Sequence, residues 1–198
     1  MSQAGTSPYD ASVVDGDDFT YEMAFSRVDG AIDEFCTKLG GRPVWLEEPQ
    51  WPLCVRHERP MGFIGQFRLP GRSTRMAYLF MDDEAEESWQ PEGGENALIV
   101  QPGRVPPFIE TAGVVDGEGL LEELFVDLEE VEQSEPPCWG SRLLGAPGWL
   151  QGEEFPPGGP WSFFFQLRDT YQAIFGDGGM GYGFLSADEQ EGRFLWQC

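Results

Sequence analysis

Hydrophobic positions along the chain follow two rhythms. Val28, Ile32, Phe35 and Leu39 recur at the three-to-four spacing of one helical face, and Gly40 and Gly41 supply the left-handed residue that commonly closes a helix. This spacing predicts an amphipathic helix over about 21–39. Beyond it, the runs "MGFIGQFRL" (61–69), "MAYLFM" (76–81) and "NALIVQ" (96–101) are short, rich in aromatic and aliphatic residues and punctuated by Pro and Gly, so they read as strands. Their hydrophobicity is nearly continuous, which predicts strands covered on both faces or packed near the domain centre. The run "LLEELFVDLEEVEQ" (120–133) carries both periods: Leu121, Leu124, Phe125 and Leu128 fit a helix, while its middle alternates like a strand. We read it as a strand, with the helix left open. Residues 1–20, polar and acidic with little periodicity, predict a loose lead-in to a single domain over 21–198.

The same pattern is written twice. Gly41, Pro43, Trp45, Leu46 and Pro52 recur as Gly145, Pro147, Trp149, Leu150 and Pro156, with Trp51 answered by Phe155. After a loop shortened by four residues, Phe63, Gln66 and Arg68 match Phe163, Gln166 and Arg168; then Met76, Tyr78 and Phe80 meet Met180, Tyr182 and Phe184, back at the original offset of 104. Three motifs in one order, with Trp among the matches, indicate an internal duplication with half-repeats of about 38–83 and 142–188. The halves have diverged, since Gly183 stands where the first has Leu79. The expected fold class is therefore α+β: one compact, strand-rich domain with an N-terminal helix, its two halves packed about a pseudo-twofold axis.

The motifs "LGGRPVWLEEPQWP", "PMGFIGQFRL", "LLGAPGWLQ", "FFFQLRD", "FGDGGMGYGFL" and "GRFLWQC" together resemble the YwqG-like family of bacterial domains, over roughly 27–198. The resemblance implies a compact α+β fold with internal duplication. It implies no reaction and no catalytic residues. It does imply an association with bacterial polymorphic toxins, in which such proteins act as immunity proteins.

Charge alters the functional picture most. Lys and Arg number 12 against 35 Asp and Glu, a formal net charge of -23. Such a surface repels nucleic acid and anionic lipid while accelerating encounter with basic partners. Hydrophobic residues at 40% and aromatics at 14% are those of a folded globule. No apolar run approaches the roughly 20 residues of a membrane span and no targeting segment is legible, so a cytoplasmic protein is expected. Cys36, Cys54, Cys138 and Cys198 are scattered without a C-x-x-C pair, which predicts reduced thiols and no zinc knuckle.

Catalytic chemistry is hard to assemble from the remaining residues. The single histidine, His57, lies in "VRHERP" between Arg56 and Arg59, and reads as a loop histidine rather than a base; a Cys54–His57 pair is set aside for want of recognisable surroundings. "GDGGMG" (176–181) reads as a tight turn, not a phosphate cradle. "DDEAEE" (82–87) puts five carboxylates in six residues without the ligand spacing of a calcium loop, and 122–135 adds seven acids in fourteen. Neither a metal nor a cofactor is expected. Trp45, Trp51, Trp149 and Trp161 are expected to be core pegs, and only Trp89 looks plainly exposed. The expected function is a non-enzymatic acidic binding protein, an immunity protein occluding a basic toxin domain. Its expected contacts are Asp82, Asp83, Glu84, Glu86, Glu87, Trp89, Glu129, Glu130 and Glu132, with neither nucleic acid nor membrane as partner. The alternative is a small-ligand protein or enzyme using a cleft between the halves, with Gln66 and Gln166 as its polar groups.

Overall fold

A computed structural model describes residues 20–84, 87–115, 121–131, 139–170 and 172–198. Of the lead-in expected over 1–20, residues 1–19 lie outside them and Thr20 begins the first strand. The described residues form strands β1 (Thr20–Arg27), β2 (Lys38–Leu39), β3 (Trp51–Leu53), β4 (Gly62–Arg68), β5 (Met76–Met81) and β6 (Asn96–Gln101). After these come β7 (Glu110–Ala112), β8 (Leu124–Val131), β9 (Arg142–Leu143), β10 (Trp161–Arg168), β11 (Met180–Ser186) and β12 (Gly192–Gln197). Ten of them make one antiparallel sheet in the order β12-β11-β10-β9-β1-β8-β2-β4-β5-β6, and β3 pairs with β7. The end strands β6 and β12 also lie against each other: a β-carbon on Gly192 would meet the Leu98 carbonyl oxygen at 2.5 Å. The sheet is thus a nearly closed barrel.

The class is all-β, which corrects the α+β expectation. No helix occurs among the described residues, and the N-terminal helix expected over 21–39 is instead β1, an irregular segment and β2. Tyr21, Met23 and Phe25 alternate with Glu22, Ala24 and Ser26, a strand period that competes with the helical spacing of Val28 to Leu39 and is selected because β8 and β9 offer it backbone partners on both sides. Gly40 and Gly41 do have φ of 65° and 64°, but they turn the chain out of a strand. The run 120–133 is a strand over Leu124–Val131.

The two halves repeat the hydrogen bonds that tie each loop to its strands. The Tyr78 hydroxyl accepts from Leu46 N (2.9 Å) and donates to Val44 O (2.8 Å), as Tyr182 accepts from Leu150 N (2.9 Å) and donates to Gly148 O (3.0 Å). Gln101 Oε1 accepts from Glu47 N and Gln197 Oε1 from Gln151 N, both at 3.0 Å. Trp45 stacks over Phe80 at 5.9 Å and Trp149 over Phe184 at 6.1 Å. Each repeat is longer than its sequence motifs, because β1 and β8 correspond as well. Tyr21, Met23 and Phe25 stand for Leu124, Val126 and Leu128, and exchanging the halves turns the pair Met23↔Leu128 into Phe25↔Val126, which is also present. A pseudo-twofold axis therefore passes between β1 and β8. The halves are intertwined, since β1 pairs with β9 of the second repeat and β8 with β2 of the first.

This arrangement explains the continuous hydrophobicity of β5 and β6, every residue of which is buried. Ala77, Leu79, Leu98 and Val100 face the barrel interior together with Met23, Val126, Phe67 and Phe165, drawn from both repeats. Tyr78, Phe80, Ala97 and Ile99 face outward, where Trp45 and Trp51 of the proline-rich loop cover them; Trp149 and Trp161 do the same over Tyr182 and Phe184. The loop tryptophans are pegs of two outer cores.

Candidate functional site

The most chemically loaded corner lies where β3 runs into β4 beside the end of β5. After Leu53 the chain makes a short excursion, "CVRHERP" (54–60), where the second repeat has only "GGP" (158–160), so the four-residue difference between the copies falls here. Hydrogen bonds from Cys54 N to Arg59 O (2.8 Å) and from Glu58 N to Cys54 O (2.8 Å) fold this excursion back on itself. It places the lone imidazole against the first residue after β5: His57 Nδ1 lies 2.7 Å from Asp82 Oδ2 and 3.7 Å from Cys54 Sγ. Asp82 Oδ1 accepts from Arg59 Nη2 at 2.6 Å and from Glu84 N at 3.0 Å. The thiol and the carboxylate are buried, and the His57 side chain is 29% exposed.

Electrostatics here favour the anion at Asp82 and the neutral thiol at Cys54. Burial pushes the Asp82 carboxyl upward, but bonds from Arg59, Cys54, His57 and Glu84 N prevail and hold it well below the usual carboxylate range. Burial, and next the bond to Asp82, push the Cys54 thiol up. The group is not arranged as a nucleophile relay. Such a relay uses both imidazole nitrogens, one toward the nucleophile and one toward the carboxylate, whereas here the same Nδ1 faces both, and the sulfur is buried.

The expected partner-binding residues fare unevenly. Asp82 is buried in the corner just described, so it presents no free carboxylate to a partner, contrary to expectation. Asp83 and Glu84 are exposed but share the Arg59 guanidinium with it, at 2.8 and 3.3 Å. Glu87 and Trp89 are exposed, whereas Glu86 and Glu132 lie outside the described residues. Glu129 and Glu130 are exposed on β8, and β2 and β4 stand between that strand and β5 in the sheet, so the two expected patches occupy different places. Trp139 is exposed more fully than Trp89, 53% against 42%, and Arg168 lies over its ring.

An acidic feature that the linear clusters indicated only in part, through Asp127 and Glu129 but not Glu22, lies on the outer face of the β1–β8 ribbon. Glu22 stands directly opposite Glu129, and Asp127 opposite Ala24, all four exposed. Like charges facing each other across a ladder are destabilising. Arg142, buried beside Glu22 in the register, is the cation nearest to them in the sheet. Elsewhere cations are bound internally: Arg59 to Asp82, Arg75 to Glu189, Arg104 to Asp188, Arg193 to Glu191, and buried Lys38 to Glu123.

The amides of the alternative reading belong to the scaffold. Gln66 Oε1 accepts from Val44 N at 2.8 Å and Gln166 Oε1 from Gly148 N at 2.8 Å, while Gln66 Nε2 donates to Cys36 O and Gln166 Nε2 to Gly140 O. Both are fully buried, each tying its own repeat's loop to its own strand. Cys36, Cys54 and Cys198 are free thiols. Among the described residues no helix is long and apolar enough to cross a membrane. Compared with known proteins, the chain matches no family model and no curated sequence.

Proposed function

We propose that this is a cytoplasmic, non-enzymatic binding protein that captures a basic protein surface, and that its partner is a toxin domain whose basic cleft it occludes. The reading is carried by the outer face of the β1–β8 ribbon, where Glu22, Asp127 and Glu129 stand exposed together and Arg142 is the cation opposite Glu22 in the register. With a net charge of -23 the molecule attracts a basic partner at long range, and exposed Trp89 and Trp139, which lie outside that ribbon, are aromatic residues of the kind that carry interface energy. That the basic partner is a toxin domain is carried over from the motif resemblance alone.

The test is association with the purified product of the neighbouring gene, measured at low and high salt. Binding should occur with an on-rate that falls steeply as salt rises. The triple variant Glu22→Lys, Asp127→Lys, Glu129→Lys should slow association by about ten-fold or more, mainly through the on-rate. No binding at low salt, or equal rates for the triple variant, would refute the proposal.

A further inference from the structure

We propose that Cys54, His57 and Asp82 form a binding site for a zinc-class divalent cation, held by the Cys54 thiolate, His57 Nδ1 and Asp82 Oδ2. The inference is independent of the toxin-binding reading. Three ligand atoms of different elements converge, all within 4.8 Å of one another. Bond lengths of about 2.3 Å to sulfur and about 2.0–2.1 Å to nitrogen put the two ligands of a tetrahedral ion about 3.6 Å apart. The observed Sγ to Nδ1 separation is 3.7 Å, so this edge already has the required span. The Nδ1 to Oδ2 edge, 2.7 Å, must open by about 0.7 Å, which the exposed side of the His57 loop allows. Uptake releases the thiol proton to solvent, and the proton between His57 Nδ1 and Asp82 passes to Nε2, so that Nδ1 of a neutral imidazole faces the ion; no electrons move.

Two features of the fold favour a site over a chance cluster. The duplication supplies an internal control: Gly158 and Ser186 occupy the places of Cys54 and Asp82 in the second repeat, His57 falls in the four-residue excess of the first, and the second strand corner forms without any of them. The trio therefore belongs to the excursion particular to the first repeat and not to the corner that the two repeats share. In addition, Asp82 is held from behind, because Arg59 and Glu84 N occupy Oδ1 and leave Oδ2 turned toward His57 and Cys54. Such outer partners orient a metal-ligating carboxylate. Thiolate, imidazole and carboxylate together select a borderline ion over calcium or magnesium, and three protein ligands leave one position for water on the side where His57 reaches solvent.

Titration of the chelator-treated full chain with Co²⁺, followed by displacement with Zn²⁺, tests this. One equivalent of Co²⁺ should produce the near-ultraviolet thiolate-to-cobalt charge-transfer band and be displaced by Zn²⁺ but not by excess Mg²⁺. Cys54→Ser should abolish the band, and His57→Gln, in the half-exposed loop, should weaken binding by about ten-fold or more. Cys36→Ser and Cys198→Ser should change neither. Near-ultraviolet circular dichroism, native-like in each variant, separates loss of the site from loss of the fold. Absence of the band, its survival in Cys54→Ser, undiminished affinity in His57→Gln, or displacement by Mg²⁺ as expected of a diffuse acidic surface, would each overturn the proposal.

Discussion

At the scale of single residues, the duplicated halves show how one packing problem is solved twice with different atoms. In the first repeat Gly65 stands opposite Leu79, and in the second Phe165 stands opposite Gly183, so the bulk has moved from one strand to its neighbour. A β-carbon on Gly183 would come within 2.2 Å of the Phe165 ring, which is itself stacked on Phe67 at 4.0 Å. Gly183→Ala should therefore destabilise the protein by about 1–3 kcal/mol in denaturant titrations, the usual cost of overpacking. Combining it with Phe165→Leu, which removes the obstructing ring, should cost less than the two single losses added together. Strict additivity would show that the ring and the glycine are uncoupled.

At the scale of elements, the turn between β11 and β12 links the two ends of the sheet. Asp188 in that turn accepts from Ser186 Oγ at 2.7 Å and Gln190 N at 3.2 Å and pairs with Arg104, which follows β6; Arg104 N also donates to Gln190 O at 2.6 Å. Arg104, then Ser186 and the Gln190 amide, hold the Asp188 carboxyl well below its ordinary value. Because the folded-state value lies below the unfolded one, the stabilisation is complete above the ordinary aspartate pKa of about 3.9 and is lost as pH falls through the lower, folded value. Asp188→Asn should be less stable than the parent at neutral pH, and the gap between their unfolding midpoints should close on acidification. A gap that widens in acid would contradict this assignment.

At the scale of the whole molecule, the exchange of β1 and β8 between repeats makes two halves into one folding unit. Each first strand finds its backbone partners in the other half, so neither half can satisfy its ladder alone. Unfolding should occur in a single cooperative transition, and fragments divided between Gly113 and Val114, the latter 78% exposed, should lack a cooperative transition separately but regain one when co-expressed. A cooperative transition in either isolated fragment would show that the repeats are separable.

Much of this was legible in particular residues. The central strands were readable from "MAYLFM" and "NALIVQ", because a run buried on both faces is hydrophobic wherever it sits. The tryptophan pegs were readable because they recur with the repeat. β1 was hidden because the helical spacing over 28–39, twelve residues, outweighed the alternation over 21–26, six residues, until the flanking strands were in view. The signal for the Cys54–His57–Asp82 corner was present as a length difference between the copies, but Asp82 lies 25 residues from His57, and only the pairing of β4 with β5 brings it there. What the chain alone determined is therefore the duplication, the extreme negative charge and the strands whose burial is complete. What only the tertiary structure decided is which strand joins which half and which acids face one another, since backbone pairing and through-space proximity depend on partners remote along the chain.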